Sequence, residues 1–311
     1  MKQPLVCIIT LNWNSFNDTS ELLESLSKIT YTNHKITVVD NNSSPGEVEK
    51  LESAYENKVH VIRCKNNLGF SGGNNIGIKY SLESKADYIL LLNNDTIVEP
   101  DFLEILMSKF ETENQSGIVA PRINYYNEPQ KIWSDGGKIS WLRGSGFAYS
   151  DKLETKVNSL DRSVTFVSGC CMLIKSEVFL KIGMFDENYF LYTEDTDLCH
   201  RVINAGYKIY ITPRSKIFHK INSSTKSSYS KLPLYYTTRN RLYFAKKNFQ
   251  KLYIITISYI FLAMILKSIY WLLSGKFKNI DAVRKAFNDF YLGKMGKTEH
   301  SFYSNEMFNK E

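Results

Sequence analysis

An α/β fold, with a sheet of parallel strands covered by helices on both faces, is predicted by three features of the chain. Short apolar β-type runs alternate with helical patterns through the first hundred residues. Such alternation calls for crossover connections and a parallel sheet buried on both sides. Polar residues also gather at the ends of successive strands: Thr10 and Asn12, Asp40 with Asn41 and Asn42, Asn66 with Asn67, and Asn93-Asn94-Asp95. Ligands of open α/β sheets bind outside the carboxyl ends of the strands, so that edge is the expected site. The third feature is size and composition. With 311 residues, 43% hydrophobic and 23% charged, the chain can hold one α/β domain of roughly 200–250 residues and an appendage.

The elements follow in order. Residues 5–11 (Leu-Val-Cys-Ile-Ile-Thr-Leu) read as a strand and 18–29 as a helix. Residues 36–40 form a second strand, followed by a helix opening near Pro45, where proline is tolerated in a first turn. Residues 59–63 are a third strand, 71–82 a helix and 88–92 a fourth strand. Residues 121–165, richer in Gly, Ser and aromatics, read as a loop or hairpin region over the site. A further strand over 164–174 is broken by Gly169, and a short helix over 176–182 stops at Gly183. Residues 195–205 form a helix whose Gly206 suits the position just past its end. Two short strands, 208–211 and 216–219, close the predicted domain.

The net charge of +7 conceals an asymmetry. Residues 201–311 carry 20 Lys+Arg against 5 Asp+Glu, and no acidic residue lies between Asp197 and Asp281. A basic, aromatic-rich tail implies a polyanionic partner, either nucleic acid or an anionic membrane. Residues 252–273 decide for the membrane, being a mostly apolar run of nearly spanning length. Lys267 lies inside that run, and Thr256, Tyr259, Ala263, Lys267, Tyr270 and Ser274 trace a small or polar stripe. Both flanks are basic: Arg239, Arg241, Lys246, Lys247 and Lys251 before it, Lys276, Lys278, Arg284 and Lys285 after. A helix lying in or dipping into the inner leaflet is therefore expected, with a buried core helix and a spanning helix as the alternatives. No nucleic-acid partner is expected.

Five cysteines (Cys7, Cys64, Cys170, Cys171, Cys199) without CxxC spacing read as reduced thiols, which favours the cytoplasm. The first strand starts almost at once, leaving no room for a secretory signal.

Three groups carry the chemistry. Asn93-Asn94-Asp95 closes a strand pattern, Glu194-Asp195-Thr196-Asp197 opens a helix, and His219 ends a later strand. They offer a metal carboxylate, a general base and a metal-ligating imidazole. Each also has a plainer reading: a polar turn, acids that favour a helix dipole, and a structural histidine.

Thr10-Leu11-Asn12, Val39-Asp40-Asn41-Asn42-Ser43, the run Asn67-Leu68-Gly69-Phe70-Ser71-Gly72-Gly73-Asn74-Asn75-Ile76-Gly77, Asn93-Asn94-Asp95, Glu194-Asp195 and His219 occur in one order. In this the chain resembles family 2 glycosyltransferases, most of all the rhamnosyltransferase-like branch that builds surface polysaccharides, over about residues 4–245. The resemblance implies a GT-A fold, a Rossmann-like mixed sheet flanked by helices. It also implies a nucleotide-sugar donor, Mg²⁺ or Mn²⁺, and inversion at the anomeric carbon.

Residue by residue, the resemblance makes Asp195 the base and places Glu194 and Gly169 near the acceptor. It places Thr10, Asn12, Asp40, Asn67, Asn75 and Asn93 around the donor nucleotide. Asp40 would accept from N3–H of uracil or thymine, which an ionised carboxylate can do. Asp95 and His219 would hold the metal. Hard cations take oxygen ligands, and an imidazole suits Mn²⁺ better than Mg²⁺. Relatives often carry Asp where this chain has Asn93, so one negative charge is missing.

The glycines of 69–77 would let backbone approach phosphate at a helix start, or simply make a tight turn. Arg239-Asn240-Arg241 offers a clasp for a lipid carrier's diphosphate, or a solvated basic helix. The expected organisation is a catalytic domain over 1–245 and a membrane-association region over 246–311. The expected activity is a metal-dependent inverting glycosyltransferase using a dTDP- or UDP-sugar, with rhamnose as one candidate. Its acceptor would be a hydroxyl of a lipid-linked or cell-surface glycan at the cytoplasmic face of the membrane. A polyisoprenyl-phosphate sugar synthase and a non-catalytic sugar-nucleotide-binding scaffold are the alternatives.

Overall fold

The computed structural model describes residues 3–220 and 231–300. The chain divides into two compact units, the first made of Met1–Lys138, Gly146–Phe185 and Asp195–Ile221. Its opening elements are β1 (Val6–Asn12), α1 (Phe16–Leu26), β2 (His34–Asp40), α2 (Glu47–Ala54), β3 (His60–Arg63), α3 (Gly69–Glu83) and β4 (Tyr88–Leu92). Next come β5 (Thr96–Val98), α4 (Phe102–Thr112), β6 (Ser116–Tyr125), β7 (Ile132–Ser134), β8 (Gly137–Ser140), β9 (Ser145–Ala148) and β10 (Arg162–Val164). Then follow β11 (Cys171–Lys175), α5 (Ser176–Ile182), α6 (Glu194–Asn204) and β12 (Lys208–His219).

The central sheet runs β10-β12-β6-β11-β4-β1-β2-β3, with β5 on β12 and β7 on β6. β4, β1, β2 and β3 are mutually parallel, as the alternating pattern predicts. Beyond β4 the sheet becomes mixed, because β11 lies antiparallel between β4 and β6. The sheet is thus parallel over the first hundred residues and mixed as a whole, the Rossmann-like mixed sheet that the resemblance implies. Gly169 does break the apolar run 164–174. The two pieces are separate strands, β10 joining β12 and β11 joining β4 and β6.

The two predicted strands at 208–211 and 216–219 are one strand, β12, whose register shifts between Thr212 and Lys216. Pro213 lies in that interval and has no N–H for a ladder bond, which suits a bulge. The 121–165 region, expected as loop or hairpin, contains the end of β6 and the short strands β7 to β10.

The core forms because β1, β4 and β11 are apolar on both faces, with Val6, Ile8, Leu90, Leu173 and Cys171 buried against Leu22, Leu26, Leu103 and Leu106. α3 comes so close to β1 that a Cβ on Gly77 would stand 2.5 Å from Ile9 Cγ2. That contact sets the height of the glycine-rich turn above the strand ends. All five cysteines are free thiols, and Cys7, Cys170, Cys171 and Cys199 are buried.

The second unit comprises Ile139–Ser145, Asp186–Glu194 and Asn222–Glu311. Its helices are α7 (Lys231–Asn248), α8 (Tyr253–Leu273) and α9 (Phe277–Tyr291). Tyr235, Tyr236, Leu242, Ile260, Met264, Trp271, Ala282 and Val283 form their shared core. α7 therefore groups with α8 and α9, and this unit begins ahead of the boundary drawn at residue 246. Arg239, 1% exposed, stands over the rings of Tyr235 and Tyr236 at 5.2 and 5.1 Å. It donates to the carbonyls of Gly296 (2.8 Å) and Lys294 (3.3 Å). A guanidinium so engaged holds the helices together, which corrects its reading as part of a diphosphate clasp.

α8 turns Thr256, Ile260, Met264 and Trp271 inward. Ile254, Phe261, Leu262, Leu266 and Leu273 stay between 54% and 83% exposed. Over Gln250–Leu273 it is long and apolar enough to cross a membrane, by length and composition.

Candidate active site

The carboxyl ends of β1 and β2 lie in register, Asn12 opposite Asp40. Their side chains form one network. Asn12 Nδ2 donates to Asp40 Oδ1 at 3.0 Å, Ser43 Oγ to the same oxygen at 2.5 Å, and Ser43 N to Oδ2 at 3.1 Å. On the other side Thr19 Oγ1 donates to Asn12 Oδ1 (2.8 Å) and Asn94 Nδ2 to Thr19 Oγ1 (2.9 Å). Asn12 thus ties two strand ends to the turn carrying Asp95. Asp40 is 4% exposed, and a carboxylate with three donors keeps capacity for a fourth. Thr10 is buried, and its hydroxyl has no partner among the described residues.

The glycine-rich turn is pinned by amides. Asn41 accepts from Leu68 N (2.8 Å) and donates to Gly69 O (3.0 Å), while Asn67 Oδ1 accepts from Gly69 N (2.9 Å). Asn41 is the latch that the sequence reading passed over. Its only signal there was a place in the polar cluster after β2. Asn75 is 5% exposed and bonds Phe185 through both amide atoms, Nδ2 to the carbonyl at 3.0 Å and Oδ1 to the N–H at 2.9 Å. Asn67 and Asn75 therefore hold the scaffold in place.

Asp95 and His219 meet. Asp95 Oδ1 lies 3.1 Å from His219 Nε2, although 124 residues separate them. The cause is pairing: β12 sets His219 opposite Thr96 of β5, and Lys220 N donates to Asp95 O at 2.8 Å. Trp133 packs edge-on to the imidazole, 4.4 Å between centroids, and Nδ1 is buried with no hydrogen-bond partner among the described residues. Lys220 is held against α1 by Glu21 and, at 3.6 Å, by Asp18. Among the described residues no third His, Cys, Asp or Glu joins the pair. A carboxylate and an imidazole this close fit one divalent cation, whose other positions would be left to phosphate oxygens and water. The side chain of Asn93 makes no hydrogen bond among the described residues, while its N–H donates to Cys170 O at 2.9 Å.

Asp195 stands in the first turn of α6. Gly169 N donates to its Oδ2 (3.2 Å), and Thr196 N to its Oδ1 (2.7 Å). Burial pushes the carboxyl above its ordinary value, opposed by those N–H bonds. Desolvation thus outweighs the hydrogen bonds offered at the helix terminus. Asp197, the competing acid, is fully buried and paired with Arg201 at 2.8 Å. That arginine also donates to the carbonyls of Ile182, Gly183 and Met184. Asp197 is therefore a structural acid, and Asp195 keeps the role of candidate base. A Cβ on Gly169 would lie 3.0 Å from Phe70 Cζ and 3.6 Å from Asp195 Cβ.

Glu194 opens α6 and is 7% exposed. Just before it Tyr192 and Thr193 both adopt positive φ, 67° and 79°. Consecutive left-handed residues without glycine are strained and persist only where the surroundings fix them. Asn240, fully buried, supplies that hold: Nδ2 donates to the carbonyls of Leu191 and Tyr192, each at 2.8 Å.

A mixed α/β sheet whose carboxyl edge gathers Asp40, Asp95, Asp195 and His219 defines a GT-A-type glycosyltransferase. Residues 6–183 match the model of Glycosyl transferase family 2, and the chain belongs to that family. It is 29% identical over 236 residues to the dTDP-rhamnosyl transferase RfbF of Shigella flexneri, covering 72% of this chain and 74% of that one. Against the low-salt glycan biosynthesis hexosyltransferase Agl10 of Haloferax volcanii, identity is 31% over 204 residues, 64% of this chain and 63% of the relative. The N-acetylglucosaminyl-diphospho-decaprenol L-rhamnosyltransferase of Mycobacterium tuberculosis is 23% identical over 246 residues, 72% of this chain and 79% of that one. Among solved structures, GalNAc-T7 with UDP, GalNAc and Mn²⁺ superposes with TM-score 0.59 at 14% identity, over 87% of this chain and 57% of that one. TarS of S. aureus gives 0.52 at 16% identity, over 76% of this chain and 39% of that one. These two likenesses are of fold. The chain is a glycosyltransferase of glycan biosynthesis.

Proposed function

We propose that the chain is a metal-dependent, inverting glycosyltransferase. It moves a sugar, with rhamnose the leading candidate, from a dTDP- or UDP-sugar to a hydroxyl of a lipid-linked or cell-surface glycan. The observation that carries this reading is the segment Gly169-Cys170, which bonds Asp195 through one residue and Asn93, two positions before Asp95, through the next. A base and a phosphate-side carboxylate thereby share one edge of the sheet.

Asp195 takes the proton of the acceptor hydroxyl as its oxygen attacks the anomeric carbon from the face opposite the leaving nucleoside diphosphate. One displacement with one base inverts that centre and needs no covalent nucleophile. Burial raises the pKa of Asp195, and a higher pKa makes its carboxylate a stronger base toward the acceptor hydroxyl. Asp95 and His219 would hold Mg²⁺ or Mn²⁺, which supplies neutralisation of charge on the leaving diphosphate. Asp40 reads the base through an acceptor left on its carboxylate, and Thr10 and Asn93 offer unengaged polar atoms on the same edge. Gly169 leaves room beside Asp195 for the acceptor, and Glu194 is assigned to the acceptor side.

Similarity to a dTDP-rhamnosyl transferase and to an N-acetylglucosaminyl-diphospho-decaprenol L-rhamnosyltransferase supports a dTDP-rhamnose donor and a diphospholipid-linked acceptor. The exposed apolar face of α8 and the basic residues around it support work at the cytoplasmic surface of the membrane, with α8 lying in the leaflet. The test is a donor panel: nucleoside diphosphate release from dTDP-rhamnose, UDP-glucose and UDP-N-acetylglucosamine, with Mn²⁺ and with EDTA, on lipid-linked acceptors. Release that EDTA leaves untouched refutes the metal, and transfer surviving Asp195→Asn refutes the base in favour of a phosphate acceptor.

A further inference from the structure

We propose that the ring of Phe70 is an apolar wall of the reaction centre, against which the C–H face of a pyranose packs beside Gly169, and that Asn75 positions it through Phe185. This rests on the glycosyltransferase reading of the site.

Phe70 occupies the first turn of α3, inside the glycine-rich run whose backbone was expected to meet phosphate. Its main chain is fixed on both sides. Asn41 Nδ2 donates to Gly69 O at 3.0 Å, and Asn74 Nδ2 to Phe70 O at 2.9 Å. The ring points at the base: a Cβ on Gly169 would meet Phe70 Cζ at 3.0 Å and Cε1 at 3.2 Å, with Asp195 Cβ next at 3.6 Å. Phe185 supports the ring edge-on, 5.8 Å between centroids and 73° between planes. Phe185 is itself 5% exposed and clamped at both backbone atoms by Asn75. Phe70 remains only partly buried, unlike the residue that supports it.

A partly exposed aromatic ring beside a carboxylate base is what a sugar site needs. Rings take up apolar C–H surface at low entropic cost, and sites of this kind are lined by aromatics with few polar groups. The same ring helps to keep water from Asp195. The other groups around that carboxyl are Gly169 N, Thr196 N and Oγ1, and the neutral Cys199 thiol on the next turn of α6, which burial keeps protonated. Asp197 on the same helix is neutralised by Arg201, and Glu194 precedes it in the chain. Among the described residues no cation pairs with Asp195, so burial dominates.

The test uses the full chain with dTDP-rhamnose as donor, alongside a carboxyl-¹³C titration of Asp195, assigned by Asp195→Asn. Phe70→Leu keeps apolar bulk without a ring, and it should raise the donor KM at least tenfold with the Asp195 midpoint near wild type. Phe70→Ala should raise KM further and lower the midpoint by half a pH unit or more. Asn75→Ala should move both readouts in the same direction by a smaller amount, as expected of a residue acting through another. The wall is refuted if Phe70→Leu uses the donor as wild type does, or if Phe70→Ala leaves the Asp195 midpoint in place. Transfer surviving Asp195→Asn would overturn the base instead, and the titration and KM of the Phe70 variants would still decide the wall.

Discussion

Gly169 N donates to Asp195 Oδ2 across 3.2 Å, and the carbonyl of the next residue, Cys170, receives the N–H of Asn93 at 2.9 Å. The loop between β10 and β11 is thus a bracket between the start of α6 and the end of β4, which lie far apart in sequence. Its glycine donates to the base and lets the ring of Phe70 come close, since a Cβ there would stand 3.0 Å from Phe70 Cζ. Because burial raises the pKa of Asp195, kcat/KM should be full above that raised value and fall as pH drops through it, on an acid limb above the ordinary aspartate range. Asp195→Asn should lower kcat by roughly 10²–10⁴-fold, the usual worth of a positioned base, with donor binding kept. Steady-state profiles and calorimetric donor titration check both parts.

The Asp95–His219 pair predicts a graded metal requirement. His219→Ala leaves a single carboxylate, and the Mn²⁺ concentration for half-maximal rate should rise by about tenfold or more, since an imidazole ligand favours the softer ion. Asp95→Ala should remove metal-dependent release altogether. A Mn²⁺ titration of nucleotide binding by calorimetry reads the same loss without turnover. Equal Mn²⁺ affinity in wild type and His219→Ala would remove the histidine from the site.

The parallel half of the sheet was legible because β1, β2 and β4 each show an apolar run ending in amides or acids. The motif order made Asp95, Asp195 and His219 readable as a group. The antiparallel insertion of β11 was not legible, since Cys171–Lys175 looks the same locally in either direction and only its pairing with β4 and β6 fixes its sense. Amide roles were hidden for a similar reason. Asn67, Asn75 and Asn41 have identical chemistry in sequence, and whether an amide faces ligand or backbone depends on contacts such as Asn75 to Phe185, 110 residues away. Asn240 was masked by its two arginine neighbours, and its partners have no side-chain signature because they are carbonyls.

Asn240 therefore provides a test of the strained approach to α6. Removing its amide leaves the carbonyls of Leu191 and Tyr192 without their donor, at a cost of about 1–3 kcal/mol. Asn240→Ala should lower Tm by several degrees and kcat by more than tenfold, with donor KM little changed, because the donor side lies on other elements. Asn240→Asp lacks the donor and should behave like the alanine variant. An unchanged kcat in a folded Asn240→Ala protein would show that residues 191–193 hold their shape without it.

Gly77 tests how the glycine-rich turn is held. A Cβ there would lie 2.5 Å from Ile9 Cγ2, and forcing a methyl into a packed contact costs about 1–3 kcal/mol. Gly77→Ala should destabilise by that amount in denaturant melts. The double variant with Ile9→Val should recover part of it, since it shortens the side chain that clashes. Full additivity of the two single losses would place the glycine's importance elsewhere.

The outward face of α8 makes the membrane prediction specific. Ile260, Met264 and Trp271 hold the helix on α7 and α9, so a leaflet would meet Phe261, Leu262, Leu266 and Leu273. Burying a side chain of this size is worth about 1.5–3 kcal/mol, and each nearby lysine or arginine adds about 1 kcal/mol at an anionic surface. Leu262→Ser with Leu266→Ser should therefore weaken binding to phosphatidylglycerol-containing vesicles by at least tenfold without lowering Tm, since both residues are exposed. Lys276→Glu with Lys278→Glu should weaken it in a salt-dependent way and leave binding at high salt unchanged. Protease accessibility of both ends of α8 from the same side of the vesicle distinguishes a helix lying in the leaflet from one that spans it. Protection of one end alone would establish a crossing.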